Sequence, residues 1–161
     1  MTDWNRVVDE FFLAADPDGE YDRDAPAGAS PAAIATAEAA IGVSLPEELR
    51  DFYASHDGLG LASRDGSESP RFVRPVSELP AFVEECRSSF EETHPAYAEK
   101  YLPFVDWNNG DSSGFVRAAD GTWIEALFTF SHERYLYDAE QDVNEFLQPQ
   151  ADTVEEFLAP G

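Results

Sequence analysis

Cysteine is almost missing from this 161-residue chain: Cys86 is the only one. An intramolecular disulfide and a cysteine-based zinc site are therefore excluded, and the usage suits a reducing cytoplasm. Positive charge is scarce too. Lys100 is the sole lysine, and Lys+Arg 10 face Asp+Glu 33, for a net charge of -23 and a pI near 4.1. Such a body repels phosphate backbones and anionic lipid heads, which argues against direct contact with nucleic acid or membrane. No run approaches the roughly 20 apolar residues of a membrane span. The acidic start Met1-Thr2-Asp3-Trp4 lacks the basic region of a signal peptide. Also lacking are a Gly-x-Gly-x-x-Gly fingerprint, a Walker loop and a Gly-x-Ser-x-Gly elbow. What is present suffices for a core: 43% hydrophobic residues and 13% aromatics, in a length that suits one domain over 1–161. The acidity has two readings, attraction of a cationic partner or solubility in a GC-biased or salt-adapted proteome.

Trp4, Val7, Val8, Phe11 and Phe12 recur at helical spacing, and Asp3 can cap them, which predicts a helix over 4–15. Residues 16–29 are rich in Asp, Gly, Pro and Ala and read as a loop. Ser30-Pro31 opens a second helix with Ile34, Ala37 and Ile41 inward, and Gly42 ends it. Pro46 starts a third, with Leu49, Phe52 and Tyr53 inward, stopped by Asp57-Gly58-Leu59-Gly60. Residues 62–70 read as a polar loop and Arg71 to Val76 as a short strand. Ser77 can cap a fourth helix carrying Leu79, Val83, Cys86 and Phe90, which His94-Pro95 interrupts. Strand-like runs follow at 102–107, 114–118, 123–130 and 134–138, with turns at Asn108-Asn109-Gly110-Asp111 and Asp120-Gly121. Asp152 to Glu155 has capping-box spacing before a last helix. The order predicts an α+β fold, with an antiparallel sheet of about four to five strands covered by helices on one side.

One stretch is specific: Ile34, Glu38, Ile41-Gly42-Val43, Leu45-Pro46, Leu49 and Phe52-Tyr53, followed by Asp57-Gly58-x-Gly60. It resembles the signature of the SUKH superfamily, the Smi/Knr-like domains. The likeness continues through Leu102-Pro103-Phe104-Val105, Gly110-Asp111 with Phe115-Val116, and Thr153 to Leu158, so it spans about residues 30–158 in order. The resemblance implies the SUKH fold and a protein-binding role without cofactor or metal. Bacterial members are immunity proteins that neutralise nuclease toxins, whereas fungal relatives regulate cell-wall synthesis. A free-standing domain is similar to the bacterial type. The chain departs from the pattern at Asp57, where the family has Asn, and in the 16–29 loop and the insertion around 84–100. The implied partner is a basic, nuclease-like toxin. A regulatory or scaffold role of the same fold is the alternative, and a hydrolase with paired carboxylates has no motif to support it.

Other residues invite chemistry and favour plainer readings. His56-Asp57 sits at a helix end, where a cationic imidazole complements the dipole. His132 lies in a turn, and three widely spaced histidines make no zinc pattern. Cys86 reads as a buried small hydrophobe. Asp16, Asp18, Glu20, Asp22 and Asp24 alternate oxygen ligands, yet Gly19 falls at the wrong place for a calcium loop. Trp107 is either core, which average burial favours, or an exposed interface anchor. Glu38, Gly42, Leu45, Pro46, Phe52, Gly58, Gly60 and Gly110 are expected to shape the fold. Asp57, Asp106, Trp107, Asn108 and Asp111 are expected to form a contact edge at one end of the sheet.

Overall fold

The computed structural model describes residues 2–65 and 72–160. Helix α1 (Trp4–Ala15) occupies the predicted span, and the Asp3 carboxylate accepts the Arg6 N–H at 3.3 Å. Part of the expected 16–29 loop is a strand instead: β1 (Tyr21–Asp24) pairs antiparallel with β2 (Gly60–Ser63). Three of the four β1 side chains are exposed, so no apolar alternation announces the strand; backbone pairing to β2 makes it, and Arg23 ties it to Asp9 of α1. Strand β2 also takes the first residues of the expected 62–70 loop, and residues 66–70 of that loop lie outside the described residues.

Helix α2 (Pro31–Ile41) starts where Ser30 Oγ accepts the Ala33 N–H at 3.1 Å. It ends at Gly42, whose φ of 91° belongs to the left-handed region that a Cβ disfavours. Helix α3 (Glu47–Ser55) follows, with Pro46 as its cap residue and Leu49, Phe52 and Tyr53 buried. The strand expected from Arg71 to Val76 shrinks to bridges at one residue; Arg71 lies outside the described residues. Val73 pairs with Leu59 on one side and with Val105 on the other, and Pro75 has no N–H to extend either ladder. Val73 thereby joins the two sheets.

A 3-10 turn, Val76–Glu78, leads into α4 (Leu79–Ser88), so Glu78 rather than Ser77 holds the cap position. Pro95 stops one pattern and opens another: α5 (Pro95–Lys100) has no counterpart in the sequence reading. Then come β3 (Tyr101–Asp106), β4 (Ser112–Val116), β5 (Leu127–Phe130) and β6 (Leu147–Ala151), an antiparallel sheet in that order. Strand β5 is shorter than its 123–130 run, because Trp123 makes only a bridge to Arg117. Residues 134–138 are not a strand; Tyr137 turns the chain with φ 56°, and β6 supplies the fourth strand. Pro149 is tolerated there because β6 is an edge. Helix α6 (Val154–Leu158) is capped by Thr153, whose Oγ1 accepts the Glu156 N–H at 3.0 Å while the Glu156 carboxylate accepts the Asp152 N–H at 2.9 Å.

The fold is α+β with two apolar clusters. The larger packs α1, α2, α3 and α6 against Phe104, Phe115 and Leu127. The smaller gathers Phe90, Ala98, Tyr101, Val116, Phe130 and Phe146. Phe115 and Val116 are adjacent in β4 yet enter different clusters, so the sheet is buried on both faces, not the one expected. The second face is covered by the 90–98 segment and the chain between β5 and β6. Each large side chain so buried contributes about 1.5–3 kcal/mol.

Candidate interaction surface

The β3–β4 turn places Asp106, Trp107, Asn108 and Asp111 side by side. The Asp106 carboxylate accepts the Asn108 N–H at 2.8 Å and binds the Arg74 guanidinium through Nε at 3.1 Å and Nη2. Arg74 also pairs with Glu78 at 3.2 Å, and these two carboxylates outweigh its partial burial and raise its pKa. Asp111 Oδ1 accepts the His132 backbone N–H at 2.9 Å and lies 2.6 Å from Nδ1, which calls for the Nδ1-protonated tautomer. A Cβ on Gly110 would lie 3.1 Å from the His132 ring, so the turn and that ring fit closely. Asp57 Oδ1 accepts the Val76 N–H at 2.7 Å and starts the 3-10 turn.

Trp107 combines both readings of it. Its Nε1–H donates to Ser113 Oγ at 2.9 Å, and its ring meets Phe72 edge-on at 4.9 Å and Phe157 at 6.0 Å. The residue still keeps 37% of its surface in solvent. With Phe11, stacked on Phe72 at 5.5 Å, and Leu61, these rings wall an apolar cleft of about 380 Å³. On the other flank of the turn a cleft of about 280 Å³ runs along α4, lined by Glu85, Cys86, Asp106 and Asp111. Asn108 borders both. Elsewhere Glu47, Glu48, Asp51, Glu125 and Asp152 line two adjoining hollows, with Trp123 and the exposed Ile124 among them.

The motif residues shape the scaffold. The Glu38 carboxylate accepts the Leu45 N–H at 2.7 Å and pairs with Arg50 at 2.8 Å, pinning the α2–α3 connection. Burial opposes its ionisation, but these two donors win and lower its pKa. Leu45, Pro46 and Phe52 are buried, Gly58 turns the chain out of α3, and Gly60 opens β2. Glu48 differs: burial, helped by Glu155 and Asp51, raises its pKa while it accepts the Val154 N–H at 2.5 Å.

His56 does not match its expected role. It is buried, stacked on Phe52 at 6.2 Å, and its Nδ1 has no hydrogen-bond partner. Burial lowers its pKa, so it is held neutral rather than cationic at the helix end. His94 is structural, with Nε2 2.7 Å from the Gln141 carbonyl. Cys86 is half-buried, and burial pushes its thiol up to about 12, which makes it inert. Asp16 turns inward on its own loop, accepting the Glu20 and Tyr21 N–H groups, which lower its pKa. Among the described residues no group of three His, Cys, Asp or Glu side chains is placed to hold a metal ion. None of their helices is long and apolar enough to cross a membrane.

Sequence reasoning found the turn but not the cleft beside it. Phe11, Leu61, Phe72 and Phe157 come from four distant segments, and each alone reads as core. The one local signal is the Phe11-Phe12 pair: Phe12 fills the buried face of α1, which leaves Phe11 beside it.

The surface chemistry is thus apolar and acidic. Arg6, Arg23, Arg50, Arg64 and Arg74 are all engaged by the chain's own carboxylates. No curated protein matches the chain. The family model described as the SMI1 / KNR4 family (SUKH-1) matches residues 28–159. That span takes in α2, α3, β2, the four-stranded sheet and α6, with the Glu38 latch and the β3–β4 turn; the chain belongs to the SMI1 / KNR4 family, SUKH-1.

Proposed function

We propose that this protein is an immunity protein that neutralises a cationic, nuclease-like toxin in the cytoplasm by occluding it, with no chemistry of its own. The family is of the immunity-protein type, which supports a protein partner. The observation that carries the finer reading is the partition of charge. Acidic groups exceed basic ones 33 to 10, and five arginines are tied up internally. Glu47, Asp51, Glu125 and Asp152 are left to face solvent together. A nuclease needs a cationic cleft to hold phosphates. An acidic body is steered towards such a cleft, and its carboxylates stand where phosphates would.

The test is co-expression with the product of the neighbouring gene, followed by pull-down of the purified pair. Rescue of growth together with a stable complex supports the reading. Toxicity undiminished and no complex would overturn it, and would leave the regulatory role of the same fold as the better account.

A further inference from the structure

We infer that the β3–β4 turn is a two-sided reader for an apolar side chain carried next to a lysine or arginine on the cationic partner. This rests on the immunity reading above and adds where, and by what chemistry, the partner docks. On one flank, Phe11, Phe72, Trp107, Phe157 and Leu61 enclose about 380 Å³ open to solvent, room for a large apolar side chain. None of these five is fully buried, and their rings already contact one another, so the cleft is formed before anything enters it. Preformed aromatic pockets of this kind supply the few contacts that dominate an interface.

On the other flank the acidic cleft begins within two residues of Trp107. Asp106 is held by Arg74, but Glu85 is exposed and makes no ion pair among the described residues. Asp111 adds a second carboxylate, oriented by His132. The charge complement of this flank is a cation, and a net charge of -23 already selects cationic partners. Asn108 stands between the clefts with φ 60°, its backbone held by Asp106, so the two subsites keep a fixed spacing. A second acidic protein, including another copy of this chain, would be repelled by the same charges.

The probe is the neighbouring gene's product, inactivated in its catalytic centre, with affinity and rates measured by biolayer interferometry. Leu61→Arg and Trp107→Ala should each weaken binding about tenfold or more, mainly through faster dissociation. Glu85→Lys should slow association several-fold, whereas Glu140→Lys, which lines neither cleft, should do so less. Unchanged melting curves show that Leu61→Arg is folded, and Trp107→Phe should restore most of the affinity lost in Trp107→Ala. Wild-type affinity in both Leu61→Arg and Trp107→Ala overturns the inference while leaving the immunity reading intact. No binding by the wild-type protein overturns that reading, and this inference with it.

Discussion

Glu38, half-buried, and His56, buried, are ionisable side chains with opposite circumstances. Glu38 has an N–H and a guanidinium for its two oxygens, so Glu38→Ala leaves the Leu45 N–H and Arg50 without it. The expected loss is about 1–3 kcal/mol, read by urea denaturation. Its folded pKa lies below the usual 4.5, so the unfolded chain takes up the proton first as pH falls. The stabilisation is complete above that value and disappears as pH drops through the folded one. His56 also has a lowered folded pKa, from burial. Its contribution is therefore present above the ordinary imidazole value of 6.5 and fades as pH falls beneath it. Stability should decline as pH falls below about 6.5, and His56→Gln should flatten that slope. An unchanged slope in the variant would mean that His56 is free to protonate in the folded state.

At the scale of the elements, close backbone approach sets the tightest constraint. A Cβ on Gly114 would lie 2.0 Å from the Leu102 carbonyl oxygen and 2.4 Å from Pro103 Cα, both backbone atoms of β3. Gly114→Ala must push β3 and β4 apart, and we expect a loss of about 3 kcal/mol or more in thermal or urea unfolding. Helices α1, α2 and α6 were legible because their ends are written locally: Asp3, Ser30, Gly42 and Thr153 act on residues within four positions. Strands β1 and β6 were not, since both are largely exposed and β6 even contains Pro149. Tyr135-Leu136-Tyr137 carries strand-like residues yet folds as a turn, because Gln141 binds the Leu136 N–H and the Arg134 carbonyl across it. The turn residues Asp106 to Asp111 could be read from their Asn and Gly content. The aromatic cleft beside them could not, because it exists only when α1, β2, Phe72 and α6 meet.

For the whole molecule the governing quantity is its net charge of -23. If that charge steers the protein to a cationic partner, association slows as salt screens the field while dissociation changes little. Raising NaCl from about 50 mM to 500 mM should cut the association rate about tenfold or more. A flat response would assign the acidity to solubility and leave docking to the aromatic cleft. The most direct test of the account is to assay the neighbouring gene's product for nuclease activity and titrate that activity with this protein. Activity should fall linearly and end near about one equivalent, as tight stoichiometric capture requires. Full activity at a large excess, or complete loss at a small fraction of an equivalent, would contradict it.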